Sequence, residues 1–392
     1  MNSAIARQTL QLQEQLAPVI RFFTGSTYAR RAGEPGLYDL AVGNPQETPP
    51  PGFVEALTRW SQPQHERWYA YTEYNETAQK VIAAALAERL QLDVAPQDVL
   101  LTNGAFAGLS VSLRALVDPG DEVIFLSPPW FFYEAMISSV GGVPVRVKLT
   151  PPDFDLDITA VAEAITSRTK AIIVNSPHNP SGRVYPPASW QALAQLLTAE
   201  GERYGRPIYL LSDEAYSRIV YDGRTFHSPA GYYPYTFLIY TYGKVLLTPG
   251  QRLGYIALPP TMPERETMRR AILVAQLATG YAFPNALLQH ALPDLERLSI
   301  DVDHLQRKRD RLVGEMTALG YQVNNPEGTF YVLARSPWPD DWAFSEQLAQ
   351  ANLFCLPGSV VELPGYLRFS LTASDQMIDG ALSVLAKEIG HG

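Results

Sequence analysis

Cysteine is nearly missing: the 392 residues hold one, Cys355, so no intramolecular disulfide and no cysteine-cluster metal site can form. No metal is expected. A single thiol suits a reducing compartment, and in its setting, NLFCLPG, packing is the plain reading. Long apolar runs are missing as well. No stretch approaches the roughly 20 apolar residues of a membrane-spanning helix, and the opening MNSAIARQTLQLQEQLAPVI, without the apolar core of a secretory signal, reads as a polar helix. Basic residues are outnumbered, 31 Lys and Arg against 40 Asp and Glu, for a net charge of −9. Such a surface repels phosphate backbones and anionic lipid on average, which argues against nucleic-acid and membrane partners. Internal repeats and low-complexity tracts are also absent. What remains is a cytoplasmic enzyme or binding protein.

The chain is too long for one ordinary core, and its 46% apolar content can fill two. From about residue 98, short apolar runs alternate with amphipathic stretches. The runs are VLLT (99–102), VIFL (123–126), VPVRVKL (143–149), AIIVN (171–175), IYLL (208–211), FLIY (237–240) and LGYIAL (253–258). Helical patterns lie between several of them, at 105–117, 158–166 and 187–200. This alternation predicts an α/β fold with a mostly parallel sheet covered by helices. Past residue 290 the texture changes to one long charged helix over 294–318, strand-like YQVN, FYVLA and YLRFSLT, and a closing helix, the pattern of a smaller α+β domain. We expect a large domain over 46–289 and a small one built from 1–45 and 290–392, since a smaller domain often takes both chain ends. The prolines of TPPPGF (48–53) mark a turn between segments.

In parallel sheets ligands collect beyond the carboxyl ends of the strands, and polar residues sit at four such ends. NGAFAG follows VLLT, SPHNPSG follows AIIVN, SDEAYSR follows IYLL, and TYGK follows FLIY. Singly each residue has a plainer reading: Asp213 as a helix cap, Asn179 as the start of an Asn-Pro turn, Arg252 as a surface ion pair, Lys244 as a surface lysine. Jointly they fit pyridoxal 5′-phosphate. That cofactor needs a lysine amine for its Schiff base (Lys244) and an acid for its ring nitrogen (Asp213). Asn179 and Tyr216 suit its phenolic oxygen; Arg252 and Thr241 suit its phosphate. Gly104 permits close backbone approach, and the amides from Ala105 onward open a helix that makes an anion site. Trp130, in SPPWFFYEA, reads equally as core or as a ring stacked on the pyridine face. Phe106 reads as core before contact, although it shares the turn and is carried as a cofactor neighbour.

Taken in order, AVGNP (41–45), SPPWFFY, NSPHNPSG, SDEAY, TYGKVLLTPGQRLGY, PEGTFYVL (326–333) and YLRFSLT make the chain similar, over nearly its whole length, to the fold-type-I class I/II aminotransferases. The resemblance implies an aspartate-aminotransferase-like architecture and amino-group transfer from an amino acid to a 2-oxo acid. It implies that Lys244 is also the proton shuttle, and that Arg368 holds the substrate α-carboxylate with Asn179 and the backbone at Gly43. It further implies that Tyr69, or Tyr71 one register on, reaches a neighbouring subunit's phosphate in a homodimer with shared active sites. Departures exist: Thr241 stands for the usual serine, NGAFAG has no hydroxyl after its glycine, and TGYAFPN (279–285) lacks a clear counterpart of the partner-subunit loop. A lyase, cyclase or oxidase-like enzyme of the same fold is the alternative. Trp130, Tyr69, Tyr71 and Tyr74 suggest room for an apolar or aromatic substrate.

Overall fold

The structure, a computed structural model, describes residues 4–388. Twelve strands occur among them: β1 Tyr38–Asp39, β2 Val99–Thr102, β3 Glu122–Ser127, β4 Val143–Lys148, β5 Thr169–Asn175, β6 Tyr209–Asp213, β7 Thr236–Thr241, β8 Gly254–Ala257, β9 Tyr331–Arg335, β10 Leu353–Phe354, β11 Leu356–Pro357 and β12 Tyr366–Ser370. Seven form the central sheet in the order β2-β8-β7-β6-β5-β3-β4. β8 alone runs against its neighbours, so the sheet is mostly parallel. Strands β2, β3, β6, β7 and β8 are buried nearly throughout, as helix-covered strands must be. Phe237, Leu238 and Ile239 of β7 each gain about 1.5–3 kcal/mol from that burial. Helix Gly104–Leu116 packs on β7 and β8 and against helix Arg265–Thr279. The free edge of β2 is closed by a side chain, with Gln79 Nε2 donating to the Val99 carbonyl at 2.8 Å.

The antiparallel direction of β8 matters for the site. Thr102 and Thr241, at the ends of β2 and β7, both pair with Gly254, the first residue of β8. The chain therefore leaves the sheet at Thr241, turns through Lys244, and returns past Arg252 to the same edge. Gly254 allows this close seating, because a Cβ there would lie 2.9 Å from the Gly104 Cα.

β9, β11 and β12 form a second, smaller sheet, which shares an apolar cluster with helices Val302–Ala318 and Asp375–Glu388. β1 pairs in parallel with β10, which ties the early chain to the late chain. Helix Arg7–Gln15 instead lies on helix Tyr133–Ser139, where Gln15 Nε2 bonds Ser138 Oγ at 2.9 Å. The long helix expected over 294–318 is two elements. Helix Ala286–Leu295 contains Pro293 and stops, the backbone turns so that Ile300 N donates to the Val245 carbonyl at 2.8 Å, and Asp301 caps the next helix. YQVN makes an isolated bridge, Val323 to Ala334, rather than a strand. Among the described residues no helix is long and apolar enough to cross a membrane.

Lys308, buried in helix Val302–Ala318, clamps the segment that follows residue 45: its Nζ lies 2.7 Å from Glu47 Oε2 and 2.9 Å from the Ala373 carbonyl. Removing a charged donor from such a pair costs about 1.5–3 kcal/mol. Lys308→Ala should lower unfolding stability by that amount in urea titration; an unchanged midpoint would mean the clamp carries no load.

Candidate active site

The polar strand ends converge on one cavity of about 350 Å³. Gly43, Ala105, Phe106, Trp130, Asn179 and Asp213 line it, as do Tyr216, Thr241, Lys244, Arg252 and Arg368. Gly104 stands just behind: a Cβ on it, at φ +83°, would sit 2.8 Å from Arg252 Nη2 and 3.4 Å from Thr241 Oγ1. A backbone turn, a hydroxyl and a guanidinium thus meet at the start of helix Gly104–Leu116, whose first amides have no partner within the helix.

Asp213 ends β6 and is buried. Tyr133 Oη donates to its Oδ2 at 2.7 Å and the Ala215 amide to its Oδ1 at 3.2 Å. Burial raises its carboxyl, while those two donors and Lys244 pull the other way. Lys244 makes no hydrogen bond or ion pair among the described residues; its Nζ lies 5.7 Å from the Tyr216 ring centroid and 5.6 Å from that of Phe330. Arg252 is tethered through Nη1 to the Pro249 carbonyl at 2.6 Å, without a carboxylate.

Arg368, on β12, is 2% exposed. Its Nη1 donates to Asn179 Oδ1 at 3.0 Å, its guanidinium carbon lies 4.0 Å over the Tyr331 ring, and its Nε has no partner. Burial without a counter-anion lowers its pKa. Asn179 is fixed from behind, since its amide donates to Asn175 Oδ1 at 2.7 Å and Asn175 Nδ2 to the Asp213 carbonyl at 2.8 Å. One polar chain therefore runs from Arg368 to Asp213. Tyr216 and Tyr331 face each other, hydroxyl to hydroxyl, at 3.5 Å. Burial raises the Tyr216 phenol; it would raise that of Tyr331 too, but the charges of Arg368 and Lys244 outweigh it and lower that group. Gly43 is required where it stands, because a Cβ would strike the Tyr331 hydroxyl and approach Phe330 Cε2 to 2.7 Å.

Phe106 lies at the cavity rather than in the core: it is 38% exposed and edge-on to Trp130 at 4.9 Å. Tyr69, Tyr71 and Tyr74 lie outside the lining of their own chain's cavity; the Tyr69 hydroxyl bonds the Ser61 carbonyl, and Tyr74 bonds Gln276. Sequence reasoning missed Tyr133, Asn175 and Tyr331. Tyr133 follows Trp130 by three residues and Asn175 ends its strand, so their positions carried a signal; Tyr331 carried none. It also missed Phe23 and Tyr28, cavity residues from the opening helices.

The model for aminotransferase class I and II matches residues 35–385. The aspartate/prephenate aminotransferase of Thermus thermophilus is 33% identical over 365 residues, 91% of each chain. An aminotransferase structure from Eubacterium rectale superposes with a TM-score of 0.91 at 27% identity, covering 99% of both chains. Aspartate aminotransferase from Thermus thermophilus with maleate gives 0.84 at 29% identity, covering 98% of this chain and all of that one. The chain belongs to the class I and II aminotransferases, fold type I, and is a transferase of amino groups between amino acids and 2-oxo acids. Members of this family use pyridoxal 5′-phosphate.

Beneath the site, next to Asp213, lies a second buried acid. Glu214 Oε1 accepts from Ser212 Oγ at 2.9 Å and Ser228 Oγ at 2.6 Å, Oε2 has no partner, and burial drives its carboxyl up to about 8. An unfolded glutamate titrates near 4.5, so between these values the folded state binds the extra proton. The stability contributed by this group is full below pH 4.5 and drains as pH rises toward 8. Glu214→Gln cannot titrate, so it should gain on the wild type by about 1.4 kcal/mol per pH unit across that window, read from urea unfolding at several pH values; a difference independent of pH would refute a protonated Glu214.

Proposed function

We propose that this cavity holds pyridoxal 5′-phosphate and there passes the amino group of an amino acid to a 2-oxo acid. One observation carries the reading: Lys244, Arg252 and Arg368 line the same cavity, none with a carboxylate partner among the described residues, and the single acid there is the buried Asp213. Cations placed so need anions from outside the chain. The residues fit the cofactor. Gly104, the amide of Ala105, Thr241 and Arg252 suit a phosphate; Asp213, held by Tyr133 and Ala215, suits a positive ring nitrogen. Asn179 and Tyr216 suit the phenolic oxygen, and Trp130 with Phe106 the ring's surroundings.

When bound, the cofactor supplies an electrophilic carbon for the amine and a ring that takes up electrons. Lys244 would hold it through the ε-amino group and, once released, would serve as the base that moves the proton at the substrate α-carbon. Among the described residues no ion pair pins that amine. Asp213 would face the ring nitrogen, whose positive charge, together with the Tyr133 and Ala215 donors, would favour the carboxylate against the upward pull of burial. Arg368 takes the α-carboxylate, with Asn179 fixing the plane of its guanidinium and the Gly43 backbone alongside.

We infer a cytoplasmic homodimer, with Tyr71 as the residue that reaches the partner's phosphate. Tyr71 is 88% exposed beside Phe283 at 5.1 Å, whereas the Tyr69 hydroxyl is already committed. We also place the domain division at 46–289 against 1–45 with 290–392, of which 1–3 and 389–392 lie outside the described residues. The test of the site is Arg368→Ala: donor binding should weaken by about 1.5–3 kcal/mol, tenfold or more in KM, with the absorption of bound cofactor retained. An unaltered KM would move the carboxylate site elsewhere.

A further inference from the structure

Resting on the aminotransferase reading, we propose that the side-chain end of this cavity takes a bulky, uncharged amino acid, aromatic by preference, and discriminates against dicarboxylic donors. The charges lining the cavity are Asp213, Lys244, Arg252 and Arg368, and each has a task at the reacting end. What remains for a substrate side chain is a wall of Phe23, Tyr28, Val42 and Phe131, bordered by Phe106 and Trp130, the aromatic residues placed about the cofactor ring. The rings form two groups. Trp130 meets Phe106 at 4.9 Å and Phe131 at 6.4 Å, and Phe23 meets Tyr28 at 6.0 Å, nearly perpendicular. Phe106 and Phe23 stay 38% and 42% exposed, although Phe106 stacks on Phe132 at 5.0 Å, so both leave aromatic surface for a ligand ring.

A side-chain carboxylate entering this wall would lose its hydration and find no cation to replace it. Burial raises the Tyr28 phenol to about 12, and the nearby Asp39 carboxylate adds to the rise. In a homodimer the segment bearing Tyr69 and Tyr71, and the stretch standing where the family's partner-subunit loop would fall, would bring no cation to this wall. WYAYTEYN (68–75) and TGYAFPN (279–285) contain no lysine or arginine, and their one charge is Glu73. The chain thus departs from the aspartate named in its relatives, and a third of shared identity does not fix the donor.

The holoenzyme should be mixed with phenylalanine, tyrosine, leucine, aspartate or glutamate, without an acceptor, and the conversion of its cofactor absorption band followed. Phenylalanine or tyrosine should react with at least tenfold higher rate over concentration than either dicarboxylic donor. Phe106→Ala should cut the phenylalanine-to-aspartate ratio about tenfold, and a ratio within one preparation cancels any loss of cofactor. A dicarboxylic donor within tenfold of the best aromatic one, or a ratio unmoved in Phe106→Ala, overturns the proposal while leaving the aminotransferase reading standing. Conversion by no donor at all sinks both.

Discussion

Lys244, Arg252 and Arg368 repel one another across a small cavity, and the fold holds them there without a carboxylate partner for any of them among the described residues. That arrangement is costly in a protein of net charge −9, where acidic partners are plentiful. Elsewhere the same chain pairs its buried cations with care: Lys308 meets Glu47, and Arg309 meets Asp222. The contrast marks the three as reserved for external anions. Low-dielectric walls then focus their field on whatever enters, and a phosphate and a carboxylate are the groups that relieve it.

The sheet makes the arrangement possible. Parallel strands bring Asn175, Asp213 and Thr241 to one edge, and the single antiparallel strand β8 returns Arg252 to that edge after Lys244 has passed it. Arg368 comes from a different sheet and reaches the others through Asn179. The cavity is therefore stitched from two sheets, and a shift between them would break the chain of bonds that runs from Arg368 to Asp213. Lys308 ties residue 47 to residue 373.

Much of this could be read before any coordinates. Strand ends are legible because apolar runs stop abruptly in a buried sheet, so Asp213, Asn179 and Lys244 announced a shared location. Contacts between distant segments were not legible. Tyr133 holding Asp213 depends on how a helix folds back after β3, and Tyr331 beneath Arg368 depends on the register of β9 with β12. The opening helices looked merely polar, yet they deliver Phe23 and Tyr28 to the cavity. Phe106 was misread for a related reason: an aromatic in an apolar helix start resembles core until the space before it proves empty of protein. The break between 295 and 302 was hidden because charge periodicity runs through it, and the backbone bond from Ile300 to Val245 decides it.

The account stands or falls on which side chain carries the cofactor. Borohydride reduction of the holoenzyme, followed by proteolysis and peptide mass mapping, reads this directly. The account predicts a pyridoxyl group fixed to Lys244, in the peptide that also contains the turn toward Arg252. A pyridoxyl group on another lysine, or none on any, would contradict it.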